Sequence, residues 1–332
     1  MKITVLIIFF CSLTLSRANN NQSPGTEATV SGGAENTASG AYSGIVAGHT
    51  NTASGNYSFI GSGRGNRASG YEATIAGGGS NTASNSYTFI GSGRFNQSQG
   101  YLSAIVGGER NQASGGRSVV LGGKGNRASG HYSTGGGGLS NSSSGDYSGT
   151  FSGSANDTQG RASTILGGET NKVWNNHSTV TSGQENLVAG SWSSIQGGLR
   201  NENRGFYSQI SGGSTNRIVG EGLCESDPHR GETVFSPCPG GVNNTISGGE
   251  NNVIHGNLSA ILGGKNLTLK GDGSVGFNAG QNQVTVNRDN VVVFMGIDLA
   301  IGTTNSTQTV DVSGAIAQNL DPFTSNQDVA VC

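Results

Sequence analysis

The feature that most constrains the fold is a fifteen-residue repeat that occupies most of the chain. One clean copy is residues 51–65, Asn-Thr-Ala-Ser-Gly-Asn-Tyr-Ser-Phe-Ile-Gly-Ser-Gly-Arg-Gly. A fixed short period of this kind indicates a solenoid, in which each unit buries its apolar side against its neighbours. The first asparagine recurs in register at Asn36, Asn51, Asn66, Asn81, Asn96, Asn111, Asn126, Asn141, Asn156, Asn171, Asn186, Asn201 and Asn216.

Each unit contains two short segments with the alternation of a β-strand. With the asparagine as position 0, position 2 is small or apolar, position 7 is almost always Ser, and position 9 is mostly Ile or Val. Residues two apart share one face of a strand, and no segment keeps the helical period of about 3.6 residues. We therefore predict an all-β fold, a parallel β-roll or β-solenoid of about fourteen coils with a small irregular β cap at its C-terminus.

Glycines mark the corners of the predicted coil. The chain contains 59 Gly and 5 Pro, and position 12 is Gly in every full unit from Gly48 to Gly213. Position 4 is also Gly, except at Asn85 and Asn175. Because Asn tolerates positive φ better than other non-glycine residues, position 4 is predicted to lie in the left-handed region. Position 12 is expected to combine an unusual φ with a close backbone approach.

The repeated asparagine is a polar residue on an inward-facing strand. A buried amide needs hydrogen-bond partners, and copies stacked one coil apart could supply them to one another. We therefore predict a structural amide ladder. No carboxylate recurs beside it, so a metal site is not favoured there. The ladder includes Asn36, Asn51, Asn66, Asn81, Asn96, Asn111 and Asn126.

The first strand of many units is apolar on its outward side as well, except from about Thr179 to Gln209, where positions 8 and 10 are polar and the contact is expected to loosen. A strand that is apolar on both faces is usually covered on both faces, whereas the outward position 1 of the second strand is mostly polar. One flank of the solenoid is therefore expected to meet another copy of the chain, and the sequence predicts a homotrimer through the resemblance described below. The outward residues at positions 6, 8 and 10 include Tyr42, Val46, Tyr57, Phe59, Tyr87, Phe89, Val106, Val119, Leu121, Tyr132, Tyr147, Phe151 and Leu166.

Two adjacent units lack the position-9 isoleucine. Gly135 replaces it in one and Thr150 in the next. Loss of a buried Ile costs a few kcal/mol at a well-packed site, so this is expected to be the softest part of the array.

The remaining segments have distinct compositions. An apolar run at Val5–Leu15 is shorter than the about 20 residues that span a membrane, and it follows a basic residue. We therefore expect a secretory signal peptide, an extracellular or cell-surface location, and no membrane-spanning segment. The predicted organisation is 1–18 signal peptide, 19–27 flexible lead-in, 28–264 solenoid with a loop insertion at 221–241, 265–310 β cap with a buried run at Val291–Phe294, and 311–332 poorly ordered tail.

Secretion permits two covalent modifications. Cys224 and Cys238 in the insertion are predicted to pair, while Cys332 is left over and could be free or link chains. The insertion could be a recognition element or a neutral decoration. Glycosylation sequons at Asn96, Asn141 and Asn156 coincide with the ladder and should be inaccessible. The candidates for glycosylation are Asn56, Asn176, Asn257, Asn266 and Asn305.

The units Ser-Gly-x-Tyr-Ser-x-Ile-x-Gly-Gly-x-x-Asn-x-Ala-Ser-Gly resemble the head repeats of YadA-like trimeric autotransporter adhesins over about residues 28–264. The resemblance implies a left-handed parallel β-roll, a trimeric assembly, and binding to host or matrix surfaces. The sequence contains no heptad stalk and no anchor of amphipathic membrane strands. The chain is therefore expected to be a head without an anchor.

Motifs for chemistry are not found. The five histidines lie at unrelated repeat positions, and Ser-rich segments lack the partners of a nucleophile motif. The net charge of −2 does not call for nucleic acid. We expect no enzyme activity and no cofactor, and a secreted adhesion or structural protein whose matrix, glycan or cell-surface ligand is unknown. The alternatives are an ice- or mineral-binding solenoid, a polysaccharide-acting β-helix enzyme and a fibre component.

Overall fold

A computed structural model describes residues 19–220 and 241–295. The predicted signal peptide, the Cys224–Cys238 pair, Asn305, Cys332 and the predicted tail lie outside the described residues.

The described residues form an all-β solenoid without a helix, as predicted. Most strands are two residues long, because a corner follows immediately on each side. The strands are β1 Thr29–Val30, β2 Thr37–Ala38, β3 Gly44–Ile45, β4 Thr52–Ala53, β5 Phe59–Ile60, β6 Arg67–Ala68, β7 Thr74–Ile75, β8 Thr82–Ala83, β9 Phe89–Ile90, β10 Gln97–Ser98, β11 Ala104–Ile105, β12 Gln112–Ala113, β13 Val119–Val120, β14 Arg127–Ala128, β15 Thr134–Gly135, β16 Ser142–Ser143, β17 Gly149–Thr150, β18 Asp157–Thr158, β19 Thr164–Ile165, β20 Lys172–Val173, β21 Thr179–Val180, β22 Leu187–Val188, β23 Ser194–Ile195, β24 Glu202–Asn203, β25 Gln209–Ile210, β26 Arg217–Ile218, β27 Thr245–Ile246, β28 Val253–Ile254, β29 Ala260–Gly264, β30 Leu267–Leu269, β31 Val275–Asn278, β32 Val284–Val286 and β33 Val292–Met295.

Successive coils stack into two parallel sheets. The first sheet contains the 17 odd-numbered strands and the second the 16 even-numbered strands. Partners are one repeat apart, as in Phe59 with Thr74 and Thr52 with Arg67. At a strand spacing of ~4.8 Å, the first sheet is about 77 Å long.

A third column of backbone bridges lies at position 13, where the sequence pattern predicts no strand. Single parallel bridges connect Ala34 to His49, His49 to Arg64, and so on to Lys265. Each coil is therefore held to its neighbours at three places around its circumference.

The inward positions are those the alternation predicts. In one coil Asn51, Ala53, Ser58 and Ile60 are all buried. The apolar side chains form two clusters, one from Ala38 to Ala128 and one from Ile165 to Leu269.

The asparagine side chains form a continuous amide ladder. Asn111 Oδ1 accepts the backbone N–H of Asn126 at 2.9 Å, while its Nδ2 donates to the carbonyl oxygens of Gly107 and Gly123 at 3.0 Å. Every buried polar group of the amide is thus satisfied, which removes the cost of burying it. The ladder ends where Leu267 N donates to Asn252 Oδ1.

The array extends beyond both predicted ends. Asn36 N donates to Asn21 Oδ1 at 3.0 Å, and Gln22 bridges Thr37, so residues 19–27 are hydrogen-bonded to the first coil rather than forming a flexible lead-in. At the other end, both sheets continue through β30–β33, although the last partners are 17 residues apart. The solenoid therefore has more coils than the sequence predicts.

The prediction that Val291–Phe294 is a buried run is wrong. Val292 is 68% exposed and Phe294 is 39% exposed. The strand β33 is the last of the first sheet in the described range, so it has a neighbour on one side there and an open outward face.

The insertion leaves the register intact, as expected. Gln209 pairs with Thr245 and Arg217 with Val253, which are 36 residues apart instead of fifteen. Asn252 N still donates to Asn216 Oδ1 at 3.0 Å. The amide ladder therefore continues across the loop.

The prediction for position 4 is wrong, because these glycines do not have positive φ. A Cβ added to Gly55 would lie 1.9 Å from the carbonyl oxygen of Gly70, so close backbone approach is the reason for glycine. At position 12 both reasons apply, since Gly63 has φ +105° and its Cβ would lie 2.0 Å from Gly78 O. The left-handed region is instead occupied by positions 6 and 14, such as Tyr57 and Thr50.

Hydroxyl groups fill the part of the core that lacks isoleucine. Thr150 Oγ1 lies 2.9 Å from Ser143 Oγ and 2.9 Å from Thr158 Oγ1. This polar cluster, together with Gly135, separates the two apolar clusters. Its hydrogen bonds are satisfied, but it buries less apolar surface than a pair of isoleucines would.

The substitution Gly135→Ala is expected to stabilise the protein by about 0.5–1 kcal/mol. The new Cβ would meet nothing closer than Val120 Cγ2 at 3.4 Å, and the backbone has an ordinary φ. The control is the adjacent Gly136→Ala, whose Cβ would lie 2.0 Å from Phe151 O and should destabilise by about 1–3 kcal/mol. Thermal unfolding followed by circular dichroism measures both, and equal effects at the two glycines would contradict the assigned packing.

The substitution Asn111→Asp is expected to destabilise the protein at neutral pH and much less in acid. The new oxygen would face two carbonyl oxygens, so the pKa of the buried carboxyl is raised above its value of about 3.9 in the unfolded chain. A raised pKa of an acid removes stability as the pH rises above the unfolded value, so the loss should be larger at about pH 7 than at about pH 3.

Denaturant titration at both pH values measures this difference. The matched control is Gln112→Glu, the same change on the neighbouring outward residue, which is half-buried. Similar pH dependence in both variants would show that Asn111 is not held as described.

Candidate functional site: the apolar face and the aromatic ladder

Outward apolar side chains cover the N-terminal part of the first sheet, and we call them the apolar face. Their side chains are 41–53% exposed. The Phe59 ring lies next to Gly44 of the preceding coil, where an added Cβ would be 3.5 Å from the ring. The ring therefore occupies space that a side chain at Gly44 would need. The apolar face consists of Val46, Phe59, Phe89, Val106, Leu121, Phe151 and Leu166.

The apolar face ends where the outward residues become polar. In the following coils positions 8 and 10 are both polar, as Thr179 with Thr181, Ser194 with Gln196, and Gln209 with Ser211. The outward row of the second sheet is mixed, since Thr52 is followed by Arg67, so it lacks the regular threonine row that an ice-binding surface requires.

A second outward feature is a ladder of rings along one corner, which we call the aromatic ladder. The centroids of Tyr42 and Tyr57 are 5.0 Å apart. The centroid distances of the other ring pairs along the ladder are at most 6.0 Å. The rungs are Tyr42, Tyr57, Tyr71, Tyr87, Tyr101, Arg117, Tyr132, Tyr147, Arg161, His177, Trp192 and Tyr207.

Most rungs stand at position 6, where the backbone is in the left-handed region. Tyr57 and Tyr87 both have φ 60°. A non-glycine residue there costs roughly 1–2 kcal/mol, and an aromatic residue is not among those that tolerate it best. The backbone therefore does not explain why rings are found at this corner.

Arginines complete the ladder where a ring is missing. Arg117 lies over the rings of both Tyr101 and Tyr132, and its Nη1 donates to Tyr132 OH at 2.7 Å. Arg161 lies over Tyr147. Guanidinium groups stack on aromatic faces by cation–π attraction, so the column of contacts continues from Tyr101 to Arg161. A second run of stacked rings joins His177, Trp192 and Tyr207.

Two local interactions shift the pKa of exposed groups. The hydrogen bond with Glu72, followed by partial burial, raises the pKa of Tyr71, which keeps this rung neutral at higher pH. On another corner, the hydrogen bond from Arg200 lowers the pKa of Glu185. The pair is exposed, so it contributes little to stability.

The predicted glycosylation sites lie at corners. Asn56 is exposed, and its Oδ1 accepts the backbone N–H of Ala41 at 3.1 Å. Asn176, Asn257 and Asn266 are half-buried. Among the described residues, no group of three or more His, Cys, Asp or Glu could hold a metal ion.

The sequence pattern indicated the tyrosines at position 6 as part of an apolar flank, but not the ladder itself. It missed the rungs at position 5, Tyr71, Tyr101 and Arg161. Each of these directly precedes a position 6 that holds a non-aromatic residue. This displacement of the ring or guanidinium group by one position is the sequence signal that identifies these rungs.

Comparison with known proteins gives no match to a protein-family model and no match to a curated protein. Within the part of the chain that the structure covers, no helix is long and apolar enough to cross a membrane.

Glycosylation should separate the corner sequons from the ladder sequons. In protein secreted by a eukaryotic cell, Asn56 is expected to carry sugar, whereas Asn96 should not, because it is buried and its Nδ2 donates to Ser92 O and Gly108 O. Glycopeptide mass spectrometry of the folded protein measures this, with Asn56→Gln as the control. Sugar on Asn96 and none on Asn56 would contradict the inward orientation of Asn96 and the outward orientation of Asn56.

Proposed function

We propose that this chain is a secreted extracellular adhesion or structural protein that presents a rigid solenoid surface and assembles as a homotrimer. It acts by display rather than by chemistry. The resemblance to trimeric adhesin heads supports this proposal. The observation that carries it is the apolar face.

The apolar face suits a contact between copies of the chain. Exposed apolar side chains in contiguous arrays mark interaction sites on soluble proteins. Phe59 and Phe89 project one coil either side of the smaller Thr74, with Gly44 and Ala104 beyond them, so large and small outward residues alternate over these five coils. A second rod of the same pitch can place its rings into these gaps over several coils at once, because its outward residues repeat at the same spacing.

The proposed contact has a defined extent. It covers coils from Val46 to Leu166 and ends at the polar outward residues near Thr179. The C-terminal coils are then free to contact a ligand or a cell surface while the N-terminal coils hold the assembly together.

The molar mass of the secreted protein tests this proposal. We expect about three times the mass of one mature chain by light scattering, both with and without reductant. The double variant Phe89→Lys with Leu121→Lys should be a monomer, because it places charges in the contact.

The matched control is Leu139→Lys, which changes an equally exposed leucine at position 13, away from the apolar face. The control should keep the wild-type mass. A monomeric wild type, or a loss of assembly in the control alone, would exclude the proposed contact.

A further inference from the structure

We propose that the aromatic ladder binds a linear β-linked polysaccharide, laid along the corner of the rod parallel to its axis. The inference deepens the proposed function, on which it rests, by naming the chemical class of the surface to which the protein adheres. It uses residues separate from the apolar face.

The choice of residues at the two left-handed corners supports a role for the rings beyond folding. Positions 6 and 14 have the same backbone conformation, with φ between 52° and 60° at their non-glycine residues from Glu35 to Thr215. Position 14 holds mostly polar or small residues, with Phe95 as its aromatic. Position 6 holds rings at Tyr42, Tyr57, Tyr87, Tyr132, Tyr147, Trp192 and Tyr207.

Neighbouring residues replace missing rings. Where position 6 is Glu72 or Leu102, the preceding residue supplies Tyr71 or Tyr101, and the column of rings continues. Stabilising one coil does not require this continuity. A ligand that contacts several coils at once does require it.

The orientation of the rungs fits an extended polysaccharide. Tyr71 lies at 70° to Tyr57 and 73° to Tyr87, while Tyr101 lies at 89° to Tyr87, so alternate rings are turned. This alternation runs from Tyr57 to Tyr101, whereas Tyr42 stacks on Tyr57 and Tyr132 on Tyr147 with planes within 6°. Within that stretch the turned rings Tyr71 and Tyr101 are two coils apart, about 9.6 Å. This is close to the disaccharide repeat of an extended β-linked glycan, whose successive sugars also turn alternate faces to a surface.

The chemistry of the rungs fits a hydroxyl-rich ligand. Tyr71 and Tyr101 meet their neighbours in T-shaped rather than stacked contacts, so their ring faces are not paired with another ring face. Such a tyrosine offers a ring face for the C–H groups of a sugar and a polar tip for its hydroxyls, and both rings are about half exposed. Arg117 adds hydrogen-bond donors in the same column. A purely apolar partner would leave these tips unpaired, which disfavours it.

Affinity electrophoresis of the full secreted chain in gels that contain hydroxyethyl cellulose or glycol chitosan tests the proposal, with glycogen as the branched α-linked reference. We expect retardation by at least one of the linear polysaccharides and not by glycogen. The double variant Tyr71→Ser with Tyr101→Ser should weaken binding about tenfold, because the loss of each ring contact should weaken binding about threefold. These two positions have an ordinary φ, so the backbone should tolerate the change.

Two controls separate binding from folding. Phe95→Ser removes an equally exposed ring from the other left-handed corner and should leave binding unchanged. Tyr71→Phe with Tyr101→Phe keeps the rings and should retain most of the affinity, whether or not the Ser variant folds. Absence of retardation of the wild type, equal loss in Phe95→Ser, or full loss in the Phe variant would overturn the proposal.

A positive molar-mass test with a negative polysaccharide test would reject this inference and leave the proposed assembly standing. The reverse result would reject the trimer alone, because the two tests change different residues. Retention on an immobilised protein surface without any polysaccharide binding would assign the ladder to a protein partner and exclude the proposal.

Discussion

The buried asparagine amide is the interaction on which the rest of the structure depends. Its oxygen accepts the N–H of the next ladder asparagine, while its nitrogen bridges carbonyls four residues before it and twelve residues after it. These partners fix the position of each ladder asparagine relative to the coils before and after it. A coil in which the ladder asparagine moved out of register with these partners would leave a buried donor or acceptor unpaired, which costs more than the hydrogen bond gains. The constraint acts on register, so the 36-residue interval from Asn216 to Asn252 satisfies it as the fifteen-residue intervals do.

Equal coils place equivalent residues above one another, and this gives the outer surface its properties. A side chain at position 6 or 8 is repeated along the rod at the spacing of the strands, so a single outward residue type becomes a column. The buried side chains of the inward columns stabilise the fold, whereas the residue type at the outward positions can vary without loss of that packing. This division explains how Tyr42 and Trp192 can occupy a strained corner: the hydrogen bonds of the coil determine the backbone there, whatever the side chain.

The sequence predicts the interior well and the corners poorly. The period of Asn51 and Ile60 predicts the sheets, the register and the buried residues, because these depend on alternation and repetition. The sequence does not reveal why position 4 is glycine, because the short distance from a Cβ on Gly55 to Gly70 O lies between coils and no local conformational preference reports it. Asn21 lies fifteen residues before Asn36, so the repeat period itself identifies it as a ladder residue, and the polar composition and Pro24 of this first unit are what make it resemble a flexible segment. The rungs at Tyr71 and Tyr101 depend on which neighbour points outward, and only the three-dimensional corner decides that.

The hydroxyl cluster around Thr150 has a mechanical consequence. The coils on either side each bury a continuous apolar column, whereas the coils between Ala128 and Ile165 are joined chiefly by backbone and hydroxyl hydrogen bonds. A rod pulled along its axis will part first where the least apolar surface is shared. The coils between Ala128 and Ile165 should therefore separate first under load, while the coils on either side each keep an apolar cluster of their own.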